Sequence, residues 1–253
     1  MSRPTSAVDA AASGFRLVQV SDCHLPANPS NRYRGQNADA NLQRLTEAVR
    51  AFGPDGLVLT GDLSEDGSPS SYERVADWAA CFGKPVWWLP GNHDEPEHMR
   101  PIFETAGFLA GPRVTVGGWT VVLLDSRWPD DPAGELDAQR LEPLSNLPAE
   151  APVGIFVHHQ PVPVGASWID RVGMRAPERL WGRIARVRPQ FIAFGHVHQR
   201  FRQSFEKVEV LACPSSAANS HPRTDRFSPG ETTPLARWFV LWQGGFRSGY
   251  LAS

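Results

Sequence analysis

Residues 86–94 read Val86-Trp87-Trp88-Leu89-Pro90-Gly91-Asn92-His93-Asp94. The first four are apolar, aromatic or β-branched, and too few for a helix, so they read as a buried strand. Pro-Gly then breaks the strand, and an amide, an imidazole and a carboxylate follow at once. The same design recurs along the chain. Phe15–Val20 leads into Ser21-Asp22-Cys23-His24, and Leu57–Thr60 into Gly61-Asp62. Val153–Val157 leads into His158-His159, and Phe191–Phe194 into Gly195-His196-Val197-His198. Trp119–Leu124 is a further run of this kind.

Between these runs lie helical patterns. In Asp39–Phe52 the apolar residues Leu42, Leu45, Val49 and Phe52 recur at steps of three and four, and in Pro177–Val187 so do Leu180, Ile184 and Val187, with Pro177 suited to the first helical position. Strand, helix, strand implies a parallel sheet covered by helices. Val114–Val116, Gly117-Gly118 and Trp119 onward read as a hairpin. Phe201–Phe205, Val208–Leu211 and Ala236–Trp242 add strands with no helix between them, which points to two sheets packed together. The expected class is therefore α/β. Gln160–Arg175 and Cys213–Pro234 are long stretches without clear structure, a length that marks functional or disordered loops. Residues 1–13 are expected to be a disordered tail, and 14–253 a single domain.

The chain has 253 residues, 41% hydrophobic and 21% charged, enough to bury a sizeable core without staples. With 25 basic and 27 acidic residues the net charge is −2, so there is no general field for a nucleic-acid polymer. No stretch approaches a membrane span or a secretory leader. Three cysteines are no disulfide framework and suit a cytoplasmic location. Cys23 is expected to be buried and turned away from its neighbours, and Cys81 to be a core residue at a helix end.

Six of the eight histidines follow an apolar run within about four residues. Parallel strand ends on one edge form the ligand crevice of an α/β sheet. Five motifs thus deliver Asp22, His24, Asp62, Asn92, His158, His196 and His198 to one rim. Imidazole with carboxylate suits Zn, Mn or Fe rather than Ca. Seven donors exceed the needs of one ion and fit two if a carboxylate is shared. Asp-x-His and His-x-His are expected to send both side chains the same way by strand alternation. The glycines before Asp62, Asn92 and His196 allow close backbone approach. Two divalent ions, two aspartates and one hydroxide leave about one positive charge, a match for a phosphodiester that needs no arginine clamp. His98 and His221 are not expected to bind metal, and His159 is expected to support the ligands by hydrogen bonding.

As an ordered set these motifs resemble the five blocks of the calcineurin-like metallophosphoesterases. The text of residues 59–75, 86–100, 121–128 with Gly134-Glu135-Leu136, 158–170 and 194–199 is nearer still to the bacterial class III cyclic-nucleotide phosphodiesterases. The likeness fades through 213–234. Cys23 stands where Thr or Ser is commoner, and Gln160 where Pro is usual. The resemblance implies a four-layer α/β/β/α sandwich of two mixed sheets flanked by helices. It implies one ion held by Asp22, His24, Asp62 and His198, and another by Asp62, Asn92, His158 and His196. Iron and manganese are the metals implied, divalent or of mixed valence; ligand type also admits zinc.

The expected reaction is attack on phosphorus by a hydroxide bridging the ions, with Asn92 and His93 at the phosphate. By the same resemblance His93 would protonate the leaving alkoxide, steadied by Asp94. Trp168 is a candidate to stack on a purine, with packing or a subunit contact as the alternative; Trp128 carries the same ambiguity. Three readings stand: a 3′,5′-cyclic nucleotide phosphodiesterase, with cyclic AMP foremost; a broader phosphodiesterase for glycerophosphodiesters or 2′,3′-cyclic nucleotides; and a non-catalytic scaffold, disfavoured because every ligand and His93 are present. The expected partner is a small phosphodiester. Gln160–Arg175 could also pack a second copy as a homodimer.

Overall fold

The computed structural model describes residues 14–148 and 150–253; the tail expected at 1–13 lies outside them. Two mixed sheets lie face to face, and helices cover their outer faces. The first sheet contains β1 (Phe15–Val20), β2 (Gly56–Thr60) and β3 (Val86–Leu89), all parallel. The second contains β4 (Arg113–Val116), β5 (Trp119–Leu124), β7 (Val153–Val157), β9 (Phe191–Phe194), β10 (Phe201–Phe205) and β11 (Val208–Ala212). Within it β5, β7, β9 and β11 are parallel, while β4 and β10 are antiparallel edges. β6 (Gly134–Glu135) and β8 (Met174–Arg175) form a separate short pair. β12 (Leu235–Trp242) and β13 (Gly245–Ala252) return antiparallel to complete the first sheet, in the order β13-β12-β1-β2-β3.

Period-two alternation sorts the side chains. Val18, Leu57, Leu59 and Trp88 face the helices of the first sheet, whereas Leu17, Val58, Trp87 and Leu89 face the second sheet. In the second sheet Val122, Ile155 and Ile192 face outward to helices, and Val121, Phe156 and Phe191 face inward. Phe191 stacks on Phe239 at 4.8 Å and meets Phe156 edge-on at 5.6 Å, so one aromatic cluster joins strands of both sheets. Burying each such ring is worth about 1.5–3 kcal/mol.

The helices are α1 (Ala38–Phe52), α2 (Pro69–Ala80), α3 (Pro96–Thr105), the single turn α4 (Ser167–Asp170) and α5 (Glu178–Val187). On α1, the Asn37 side chain accepts from Ala40 N, and Gly53 closes the end at φ 65°. Leu42, Leu45 and Val49 are its buried stripe. The helix at 177–187 begins one residue later than its sequence suggests, with Pro177 in the cap position. The sequence suggests no range for α2, α3 or the single turn α4, although a helix end is expected at Cys81, where α2 stops. Helices α2 and α3 each open on a proline in the first turn, which suits the position because no intrahelical donor is lost there. β13 was also not expected. Its Gly245, Arg247, Ser248 and Gly249 carry no apolar alternation, and it forms because Leu235–Trp242 offers it a full ladder.

The two long stretches are ordered. Within 160–175, Val162, Val164, Ile169 and Met174 are buried in the outer core of the second sheet, and the Gln160 amide donates to the Ile169 carbonyl. Residues 213–220 are buried throughout. Cys81 caps α2 but is exposed, contrary to expectation, because a helix end there looks outward. Cys23 is buried in the core beneath the helices, where burial pushes its thiol up to about 12, so it stays protonated and inert.

Candidate active site

The parallel registers bring Val20 level with Leu59, Thr60 with Leu89, and Leu124 with Val157. All five motifs therefore leave their strands at one edge, and hydrogen bonds stitch the exits together. Asp22 N donates to Gly61 O and His24 N to Asp62 O, both at 2.9 Å, while Gly195 N donates to His158 O at 3.0 Å. The His196 amide donates to the Asp22 carboxylate at 3.0 Å, and so links the two sheets.

Strand alternation is not what aims the ligand pairs. Asp22, His24, Asp62, His196 and His198 all have left-handed backbones, with φ between 43° and 65°. Such conformations are unfavourable for non-glycine residues and persist only where the surroundings enforce them. Each residue turns out of the strand direction, and that turn lets i and i+2 share a target. Close approach also requires glycine: a Cβ on Gly91 would strike Asp62 Oδ1, and one on Gly195 would strike Ser21 Oγ.

The candidate donors converge. The trio Asp22, His24 and His198 and the trio Asp22, Asp62 and His158 each bring one donor atom per residue within 4.8 Å of the others. Asp62 faces both ways, with Oδ2 at 3.7 Å from His24 Nε2 and Oδ1 at 3.3 Å from His158 Nε2. Asn92 Oδ1 lies 3.3 Å from His158 Nε2, and the His196 ring 5.2 Å from that of His158.

Each of four imidazoles has one nitrogen tied to an oxygen acceptor. His24 Nδ1 contacts Glu65 Oε2 at 2.7 Å, His158 Nδ1 the Thr60 carbonyl at 2.7 Å, His198 Nδ1 the Ala218 carbonyl at 2.8 Å, and His196 Nε2 the Val172 carbonyl at 3.1 Å. A carbonyl only accepts, so these nitrogens carry the hydrogens, and the opposite nitrogens present lone pairs. His24 Nε2 and His198 Nε2 thus point lone pairs at each other across 3.1 Å, and His158 Nε2 points at two oxygens. Acceptors this close need a proton or a metal cation between them. The donor set fits two metal ions of the imidazole–carboxylate class.

The electrostatics agree. Burial alone would raise the Asp62 pKa, but the imidazoles of His158, His24 and His93 hold it well below the usual carboxylate range. His158 is opposed by burial yet lifted to about 9 by Asp62 and Asp22. Burial, reinforced by His158, drops His196 to about 3, so it stays an uncharged donor. Metal binding must displace the His158 proton.

His159 is buried against His158 and His196, but both its nitrogens are engaged. Ser126 Oγ lies 2.8 Å from Nδ1, and Nε2 donates to the Pro132 carbonyl at 3.2 Å. One donor atom from each of His158, His159 and His196 lies within 4.8 Å of the other two, but both His159 nitrogens already have partners in the chain. His98 Nδ1 sits on the Gly67 carbonyl, and His221 is exposed.

His93 is the exposed imidazole of the group. Burial disfavours its charged form, but Asp62 and Glu65 raise its pKa above the ordinary value. Asp94 makes no hydrogen bond to His93, though its charge also helps to raise the His93 pKa. Asp94 is buried, and its oxygens accept from Gly91 N, Leu63 N, Ser64 N and the Tyr72 hydroxyl at 2.9–3.2 Å. It braces the loop, because four donors already claim its lone pairs. Glu65 takes the position expected of Asp94, with Oε2 at 3.4 Å from His93 Nδ1. Its only sequence signal is its place three residues after Asp62. Tyr33 has no sequence expectation; it stacks on His24 at 4.0 Å with the ring planes nearly parallel. Trp168 is half-buried and meets Phe227 edge-on. Trp128 faces the Arg140 guanidinium at 5.0 Å. The segment 213–220 supplies the frame: Ser215 Oγ donates to Asp22 O, and Ser216 N to Ser21 O.

Comparison with known proteins bears on this geometry. A family model described as calcineurin-like phosphoesterase matches residues 15–200. A 3′,5′-cyclic adenosine monophosphate phosphodiesterase of Pseudomonas aeruginosa is 36% identical over 236 residues, covering 90% of this chain and 86% of that protein. The enzyme of that name from Escherichia coli K12 is 33% identical over 237 residues, covering 91% and 86%. Among solved structures, a dimetal phosphatase from Danio rerio superposes with a TM-score of 0.67 at 13% identity, over 92% of this chain and 98% of that one. Purple acid phosphatase from yellow lupin gives 0.61 at 13% identity, over 94% and 51%. At that identity the two structures speak for the fold alone. Among the described residues no helix is long and apolar enough to cross a membrane. By the extent of the family match, and by its identity to curated relatives over nine-tenths of its length, the chain belongs to the calcineurin-like phosphoesterases and is a metal-dependent hydrolase.

Proposed function

We propose that this protein hydrolyses a cyclic nucleotide, with 3′,5′-cyclic AMP as its foremost substrate, and that residues 14–253 act as one catalytic unit. The observation that carries the reading is the set of four imidazoles that each have one nitrogen tied off, three of which, His24, His158 and His198, turn the other on Asp22, Asp62 or Asn92. The names of the Pseudomonas and Escherichia relatives support the substrate.

Asp22, His24, Asp62 and His198 would hold one ion, and Asp62, Asn92, His158 and His196 the other, with Asp62 shared. Iron or manganese is the proposed occupant, with zinc as the alternative by ligand type. When bound, two such ions supply Lewis-acid charge for the phosphoryl oxygens and lower the pKa of water toward neutrality. The protein's own part is to orient and to move a proton. Asn92 and His93 line the cavity in which the ester lies. His93, whose pKa its acidic neighbours raise, donates its proton to the departing ribose oxygen, a poor leaving group without it. Glu65 at Nδ1 orients that ring and favours its charged form.

A second, broader reading also has an observation behind it. The cavity beside His93, about 470 Å³, is lined by Asp66, Glu95, Arg127 and Asp130 and holds no aromatic ring other than imidazole. Such walls accept a hydroxyl-rich alcohol, so glycerophosphodiesters belong in the test. The experiment is a kcat/KM panel on metal-loaded protein with cyclic AMP, 2′,3′-cyclic AMP and glycerophosphodiesters. Cyclic AMP should lead by at least about tenfold. Equal or greater efficiency on glycerophosphodiesters favours the broader reading, and no turnover of any diester sinks both.

A further inference from the structure

Three loops far apart in sequence meet on one cation beside the metal centre. The Arg34 guanidinium lies over the Phe227 ring at 3.9 Å, and the Tyr33 and Trp168 rings stand at 5.3 and 5.4 Å. Its Nε donates to the Tyr33 hydroxyl at 2.9 Å, and Tyr33 in turn stacks on His24. Arg34 is exposed and has a left-handed backbone, φ 48°. Among the described residues no carboxylate lies within 4.0 Å of it, and its other four side-chain N–H groups make no hydrogen bond to any of them. Through Tyr33 it stands beside His24, whose ring meets that of His93 edge-on at 4.9 Å.

A solvated arginine needs none of this. Surface arginines usually pair with acids or trail into water, at little energetic consequence. Here the guanidinium is held flat by an aromatic ring on its face and a phenol at its edge. A fixed, planar cation with free donors is a stacking surface for a nucleobase, and its N–H groups can meet ring acceptors. Trp168, the stacking candidate suggested by sequence, meets Phe227 edge-on and itself borders the guanidinium.

We propose that Arg34, seated on Phe227 and tethered to Tyr33, is the specificity residue on which the base of a nucleotide ligand stacks. This rests on the cyclic-nucleotide reading for its biological meaning, but not for its test. The test is direct binding to the metal-loaded full chain, by calorimetry, of adenosine 5′-monophosphate and of ribose 5-phosphate. The two share sugar and phosphate and differ by the base. In the wild-type protein the nucleotide should bind at least tenfold more tightly. In Arg34→Ala that ratio should fall by about tenfold, the size of one base-stacking contact. Arg34→Lys keeps the charge and loses the plane, so its ratio should fall as far. Phe227→Leu, which removes the backing ring, should lower the ratio part of the way. Equal weakening of both ligands would mean that Arg34 attracts phosphate, and would overturn the proposal. So would an unchanged ratio in Arg34→Ala, a ratio restored by lysine, or no base preference in the wild type. If the ratio depends on Arg34 while cyclic AMP is not hydrolysed, the substrate reading fails and the base platform stands.

Discussion

The space between the sheets and the rim above it are built on opposite terms. Between the sheets, Trp119, Phe156, Phe191 and Phe239 sit on extended strands and touch other rings. At the rim, Asp22, Asp62 and four histidines are just as buried, yet they are polar, and all but His158 have left-handed backbones. The first region gains free energy from every contact. The second concentrates acceptors and strain that the first must hold in place. Changes at the rim should therefore abolish function with modest effect on folding, and changes between the sheets should do the reverse.

Asp62→Asn should have the largest effect. Asparagine tolerates the left-handed backbone, so the fold should survive, while the shared anion is lost. Metal content should fall from two ions to one or fewer, and turnover by about 10³-fold or more; elemental analysis and kcat measure both. His93→Ala should cost about 10²–10⁴-fold in kcat with both ions kept, because it is the backbone amide of His93, not its ring, that binds Asp62. Near-normal turnover of a ribose diester would remove His93 from the acid role. Phe191→Ala should invert the pattern: urea unfolding of the metal-free protein should show a loss of about 3–5 kcal/mol, while kcat per folded molecule stays the same. Ser126→Ala should have the smallest effect. It frees His159 Nδ1 without touching a ligand, so metal affinity should weaken by only a few-fold, below the roughly 10–100-fold of a true ligand's partner.

How legible each region is in the sequence follows from the same contrast. Strands between apolar layers announce themselves by short Val, Ile, Phe and Trp runs, and Trp119–Leu124 and Phe191–Phe194 have the bounds their composition suggests. The seven donors are legible because each stands directly after such a run. The turn that aims Asp22 and His24 is not, since left-handed backbone at aspartate or histidine leaves no pattern in composition. Nor is the exchange of Asp94 for Glu65. Which carboxylate reaches His93 depends on which one the amides of Gly91, Leu63 and Ser64 capture first, and that is settled by tertiary contact. The segment 213–220 looks like a loose polar loop, but it is buried because Ser215, Ser216 and Ala218 spend their hydrogen bonds on Asp22, Ser21 and His198. Arg34 escapes notice for the same reason, as its aromatic partners come from residues 168 and 227.

The most direct measurement of the central claim is anomalous diffraction at the metal edges from crystals of protein purified without added metal. Two peaks should appear, one against Asp22, His24 and His198 and one against Asn92, His158 and His196, with Asp62 touching both. A single peak, or density held by His159 or by Glu65 and His93 instead, would contradict the account.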